Sequence, residues 1–321
     1  MKLPSRLLPL LLSAAVTTVF AQTSYPVKPI RWIIPFPAGG GADNLCRILV
    51  PKLVEALGQQ IVFDNRGGAA GNIGAEAGAK SPPDGYTMVF AYAGTHSINR
   101  NVYKTMPFQE SDFAPVIWMS SVPQVVVVHP SLPARNVKEL IAIARARPGQ
   151  INYGSGGNGS APHLAGELFK MLTGVNMVHV PYKGGGSRAF AIIAGEVTLT
   201  FADPGIIMPH VKAAKLRALA VTSIKRSAGI PDLPTVAESG VPGYDVTSWN
   251  GVLVPAGTPT AIITRLNTEF NKALSSTEIR EQLIASGYDP DGGRPERLGD
   301  LIRTETAKWA KVVKAANMTI D

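Results

Sequence analysis

Two glycine-rich stretches are the segments of this chain best suited to chemistry. Phe36-Pro37-Ala38-Gly39-Gly40-Gly41-Ala42-Asp43 and Gly154-Ser155-Gly156-Gly157-Asn158-Gly159-Ser160 each stand between a β-branched run and a helical one. Glycine lets a backbone approach a ligand closely. A helix start offers free N–H groups and about half a unit of positive charge, so an anion such as a carboxylate fits there without any arginine. In an open α/β sheet such loops lie at the carboxyl ends of the strands, where ligands bind. The hydroxyls of Thr95, Ser97, Ser155 and Ser160 can add contacts, and Gly94-Thr95-His96 can line the same cleft. Asp203, after an apolar strand, either lines the cleft or caps the helix that follows it.

Other chemistries are less well supported by the same residues. Gly154, Gly156 and Gly159 match the dinucleotide fingerprint, but that motif needs a carboxylate at the end of the next strand, and here the strand ends Val180-Pro-Tyr-Lys183. His163 and Glu167 are spaced like a metal pair, with no third ligand in sight. The alternative function is a secreted hydrolase using Ser160 and His163, with Asp203 completing a triad. Those two residues would share one helical turn, unlike a nucleophile raised on a strained elbow. The single cysteine, Cys46, reads as a small buried apolar side chain on the first helix. The expectation is a non-enzyme with no cofactor and no bound metal.

The elements that must position these loops alternate in α/β fashion, which predicts largely parallel sheets. Strands are expected at 30–34, 60–64, 86–91, 124–129, 151–153, 177–180, 197–201 and 216–222. Leu45, Ile48, Leu49, Leu53 and Leu57 mark a helix that Gly58 stops. Asn136 with Glu139 caps another, and Ser160, Pro162 and Gly174 bound a third. After a stretch at 244–254 the last quarter reads as almost wholly helical and is expected to pack back on the first domain. The chain then crosses between domains twice, near 120–124 and 244–251, and two crossings make a hinge with a cleft. Trp118 and Trp249 fall near these crossings, as hinge packing.

The first residues read as an export signal. Lys2 and Arg6 precede an apolar core at 7–16, and Val19-Phe-Ala21 suits cleavage. The core is shorter than the roughly 20 residues that a span requires. The net charge is +8, and without Lys2 and Arg6 there are 29 basic against 23 acidic residues. The excess is scattered, which argues against nucleic acid. The division expected is 1–21 signal peptide, 22–122 plus 246–321 first domain, and 123–245 second domain.

At these residues the sequence resembles the Bug-type, or tripartite tricarboxylate transporter, substrate-binding receptors. The matching stretches include Tyr25-Pro-x-Lys-Pro-Ile30, Phe36-Pro-Ala-Gly-Gly-Gly41 with Asp43, and Asn65-Arg-Gly-Gly-Ala-Ala-Gly-Asn-Ile-Gly74. They continue with Pro83-Asp-Gly-Tyr86, Tyr153 to Ser160 with His163-Leu164, Val180-Pro-Tyr-Lys-Gly-Gly185 and Pro255-Ala-Gly-Thr-Pro259, in order along the mature chain. The resemblance implies a two-domain periplasmic binding protein of the flytrap type with a helical C-terminal tail. It implies a monomer that binds a di- or tricarboxylate, an acidic amino acid or an aromatic acid and passes it to a membrane transporter or a sensor kinase. It carries carboxylate contacts onto Pro37 to Gly40 and Ser155 to Ser160. The chain departs from the family pattern at Ala202-Asp-Pro-Gly-Ile-Ile207, where Ile206 and Ile207 favour a ligand with an apolar or aromatic body.

Overall fold

The computed structural model describes residues 25–157, 160–182, 185–316 and 318. The expected signal peptide and the candidate site residues Asn158 and Gly159 lie outside them. The first half builds β1 (Ile30–Ile34), α1 (Gly41–Leu57), β2 (Ile61–Asn65), α2 (Asn72–Ala79), β3 (Thr87–Tyr92), the short α3 (Asn99–Val102) and β4 (Phe113–Pro123). There follow β5 (Val125–Val128), α4 (Val137–Ala146), β6 (Ile151–Ser155), α5 (Ala161–Thr173), β7 (Met177–Pro181), α6 (Gly185–Ile193), β8 (Leu199–Ala202), α7 (Pro204–Lys212) and β9 (Arg217–Val221). The chain ends with β10 (Thr247–Pro255), α8 (Thr260–Ser275), α9 (Thr277–Ala285), β11 (Asp289–Pro290) and α10 (Pro295–Ala315).

These elements form two domains, each around its own sheet. One sheet has the order β11-β4-β10-β3-β1-β2 and the other β7-β6-β8-β5-β9. The run Ile-Arg-Trp-Ile-Ile of β1 is nearly all buried, as expected for a strand covered on both faces and flanked by parallel neighbours. The expectation of largely parallel sheets holds only for the pairings of β1 with β2 and β3 and of β6 with β7 and β8. The pairings of β4, β5, β9, β10 and β11 are antiparallel; β5 and β10 each enter their sheet from the opposite domain. Thr247 pairs with Pro123 and Pro255 with Phe113, so the two crossing segments leave the first sheet side by side.

Local signals act where the sequence placed them. The Asn136 side chain accepts a bond from Glu139 N at 2.9 Å, and the Glu139 carboxylate accepts one from Arg135 N at 2.7 Å. Gly58 and Gly174 end α1 and α5 in left-handed geometry. Cys46 is fully buried in the first core, and burial pushes its thiol well above the ordinary range, which keeps it protonated.

The tail is almost wholly helical, as expected, with the two-residue β11 pairing with β4. It departs from expectation in not staying on the first domain. Leu298 and Ile302 of α10 pack with Val89, Ala91 and Trp249, whereas Trp309, Val312 and Val313 join the core that holds Leu164, Leu168 and Phe169. One helix thus serves both cores, and Lys308 Nζ donates to Asp245 O at 3.0 Å across the return crossing.

Candidate functional site

A cleft with two lobes opens between the domains. The larger encloses about 720 Å3 and the smaller about 320 Å3, and Phe36, Tyr92, Asp203 and Ser248 line both. Phe36 meets Phe90 and Tyr92 edge-on, giving the first-domain wall an aromatic surface. From the second domain come Ser160, Pro162 and Arg188 in the smaller lobe, and Pro204, Gly205 and Ile206 in the larger.

The loop after β1 contributes every residue from Phe36 to Ala42 to the larger lobe. Gly39 takes a φ of 79°, a left-handed turn suited to glycine, and Gly40 caps α1 in extended geometry. Asn44 N makes an early helical bond, to Gly40 O at 2.9 Å, so the N–H groups of Gly41, Ala42 and Asp43 have no acceptor within the helix. Tyr288 lines the same lobe and donates from its hydroxyl to Gly41 O at 2.8 Å.

Asp43 does not line the cleft. It is 1% exposed and acts from behind the loop. Its carboxylate accepts from Arg47 Nε at 2.7 Å, Gly39 N at 2.9 Å and Asn65 Nδ2 at 3.3 Å. Asn65 also donates to Phe36 O at 3.1 Å, so one network sets both ends of the turn. The bond from Arg47, aided by those from Gly39 and Asn65, holds the Asp43 carboxyl below the ordinary carboxylate range against the opposing effect of burial.

The second loop is anchored by histidines. His163 of α5 stacks on His179 of β7, with centroids 3.7 Å apart and planes at 7°. His179 Nε2 lies 2.6 Å from Ser155 Oγ, and Gly157 N donates to that same oxygen at 3.0 Å. Tyr153 donates to Glu167 Oε1 at 2.7 Å behind the stack. Burial and the neighbouring ring push His163 down to about 4, and burial lowers His179 as well, so both rings are neutral at pH 7. Ser155, Gly157 and His163 therefore belong to the frame of this loop, and among its described residues Ser160 lines the cleft. Ser160 caps α5 through its backbone; its hydroxyl donates to Gly157 O at 2.7 Å, not to the helix and not to His163. The Ser160–His163 pairing of the hydrolase reading is not formed.

The segment after β3 is a single π turn, Gly94–Ile98. Gly94 faces the smaller lobe with Ile98 and Asn99. Thr95 and His96 turn instead to a separate cavity beside Phe108, Phe113 and Ile302. Thr95 Oγ1 donates to Ala70 O at 3.0 Å, and His96 Nδ1 accepts from Tyr92 N at 3.4 Å. The carbonyl of Ala70, a residue with φ of 51°, also takes a bond from Asn99 Nδ2 at 3.1 Å. Asp203 lines both lobes and caps α7 through its carbonyl, with no side-chain cap. Burial raises its carboxyl, and the Arg188 charge opposes that shift. Of the two isoleucines that follow, Ile206 lines the cleft and Ile207 is buried in the core.

Several lining residues were not visible in the sequence. Tyr92, Ser248, Tyr288 and Gln124 reach the cleft only through tertiary packing. Arg188 left one trace, a basic residue on the same helical face as Ala191 and Ile192. Among the described residues there is no His/Cys/Asp/Glu cluster of metal-binding size, and no helix is long and apolar enough to cross a membrane.

Comparison with known proteins agrees with this architecture. The family described as the tripartite tricarboxylate transporter family receptor matches residues 45–318. Protein BugT of Bordetella pertussis is 35% identical over 94% of this chain and 93% of its own. An R. palustris protein, Rpa4515, solved with adipate, is 42% identical, with a TM-score of 0.78 over 92% of this chain and 99% of its own. MatC from Rhodopseudomonas palustris, with bound malate, is 27% identical, with a TM-score of 0.72 over 90% and 100%.

Proposed function

We propose that this chain, which belongs to the tripartite tricarboxylate transporter receptor family, is a periplasmic receptor that captures a small carboxylate in the cleft between its domains. The observation that carries this is the turn at Gly39 to Gly41, whose helix-start N–H groups open into a cavity walled on its other side by Ser160, Asp203 and Ile206. We place one carboxylate on that turn, where backbone donors and the helix dipole act together. The body then lies against Phe36, Tyr92 and Ile206, which suits an aliphatic or aromatic acid.

The domain division that goes with this reading is 22–122 plus 246–321 against 123–245, hinged at the paired strands β4 and β10. Ligand touching both domains favours the closed arrangement, since only that arrangement offers all the contacts. The receptor works as a monomer without turnover and hands its ligand to a membrane transporter. Relatives solved with adipate and malate support the choice of carboxylates as the class to test first.

The test is calorimetry on the mature protein with aliphatic and aromatic carboxylates beside neutral sugars. One-to-one binding of an acid, raising stability by about 2.7 kcal/mol at a hundredfold excess over Kd, is the expected result. Sugars stabilising the protein while no acid does would overturn it.

A further inference from the structure

We propose that Arg188 sets the specificity of this receptor by taking the second carboxylate of a dicarboxylate whose first lies on the Gly39 to Gly41 turn. The inference rests on the carboxylate reading above and adds to it which acids are selected. Arg188 is 3% exposed, on the buried face of α6, and lines the smaller lobe. Its stem runs beside Gly154, where an added Cβ would stand 3.3 Å from Arg188 Cγ. A guanidinium carries five N–H donors, and none of them meets an acceptor among the described residues. Asp203 lines the same lobe, yet none of its carboxylate oxygens comes within the 4.0 Å of an ion pair. Arginine is almost never fully buried without a partner, because an uncompensated buried charge is costly.

A second side chain in the lobe is in the same condition. Gln124 is 2% exposed, and its Oε1 is buried with no hydrogen-bond partner. Its backbone N–H is tied to Thr222 Oγ1 at 2.8 Å, which holds it where the chain crosses between domains. Rotating its amide by half a turn presents two N–H donors in place of that oxygen. Two other polar side chains of the lobe are committed: Asn99 to Ala70 O and Asn72, and the Ser160 hydroxyl to Gly157 O. One carboxylate, accepting from the guanidinium fork and from the Gln124 amide, satisfies both open groups. Asp203 lines the same lobe and acts on Arg188 through its charge, without a direct contact. A monocarboxylate on the Gly39 to Gly41 turn leaves the guanidinium unpaired in a closed site, so the pair of charges selects diacids.

Calorimetry of the mature wild-type protein against succinate, glutarate, adipate and terephthalate, each beside the monocarboxylate of the same body, tests this. Wild type should bind its best dicarboxylate about 50-fold or more tighter than the matched monocarboxylate. Arg188→Met should bring that ratio close to one by loss on the dicarboxylate side, and Arg188→Lys, a point charge without the fork, should fall between. Melting of Arg188→Met without ligand at or above the wild-type temperature separates this loss from unfolding; if that variant does not fold, the wild-type ratio and Arg188→Lys decide. Undiminished dicarboxylate affinity in Arg188→Met or in Arg188→Lys, or equal binding of the two acids by wild type, overturns the proposal and leaves the carboxylate reading standing. Wild type that binds no carboxylate at all overturns both.

Discussion

The two glycine loops share composition and setting, each between a strand and a helix, but they are held in place by opposite means. Behind Gly39 to Gly41 stands an ionised carboxylate, Asp43, that collects donors from Arg47, Gly39 and Asn65. Behind Gly154 to Ser160 stands a stack of two neutral imidazoles, His163 on His179, reaching the loop through Ser155. The first loop places its whole turn in the cleft, whereas the second contributes Ser160 among its described residues. Glycine content alone therefore does not say which backbone meets a ligand. What stands behind the loop decides how rigidly, and under which conditions, it is presented.

The comparison can be broken most severely from the first side. Asp43→Ala removes the acceptor of three bonds and leaves Gly39 N without one. A loss of about 2–3 kcal/mol in urea unfolding is expected, as for hydrogen bonds to a charged group, together with at least about tenfold weaker carboxylate binding. Wild-type affinity in Asp43→Ala would show that the turn does not depend on its network.

The second side is tested by Gly166→Ala. A Cβ at Gly166 would lie 2.3 Å from the Tyr153 ring, which must then leave its place beside the stacked histidines. Overpacking of this kind costs about 1–3 kcal/mol. Denaturant melts should show that loss, and hydrogen exchange should rise in residues 153–163 while residues 36–43 stay protected.

The pH dependence of the two loops should separate them without mutation. A histidine whose folded pKa is depressed binds its proton more readily when unfolded. His163, down at about 4 from 6.5, therefore stabilises fully above 6.5, and that contribution is lost as pH falls from 6.5 through about 4. Asp43 is shifted below its ordinary 3.8, so its contribution is complete above 3.8 and is lost only at lower pH. His96, buried and also at about 4, adds to the first window, which makes local exchange the proper readout. Acidification toward pH 5 should expose amides of the second loop before those of the first; simultaneous exposure would mean that the two frames are not independent.

The smallest effect is expected from Ser160→Ala, which deletes one bond to Gly157 O and should cost about 1 kcal/mol or less. Any background ester hydrolysis should be the same in wild type and variant. Activity lost with this serine would restore the hydrolase reading that the absent Ser160–His163 contact argues against.

Much of the fold was legible because its signals are local. The apolar run at 30–34, the Asn136 cap and the glycine stops at 58 and 174 act within a few residues of where they stand. The glycine turn that opens α1 was legible for the same reason, since it is a backbone property. The site's other residues were not, and their contacts explain why. Tyr288 reaches Gly41 across 247 positions of sequence. Asp43 and His163 carry the right chemistry for a ligand but spend it on the loops behind which they lie. Arg188 and Gln124 look ordinary in sequence and become unusual only where packing removes water and, among the described residues, supplies no partner to the guanidinium or to Gln124 Oε1.

By itself, then, the sequence determined the alternation of strands and helices, their caps, and the two glycine-rich stretches that join strand to helix, because propensity and hydrogen bonding within a turn depend on near neighbours. Tertiary structure alone decided which polar groups face the cleft, how α10 is shared between two cores, and which buried charge has no direct ion pair among the described residues. Those outcomes depend on desolvation and on partners brought together from distant parts of the chain.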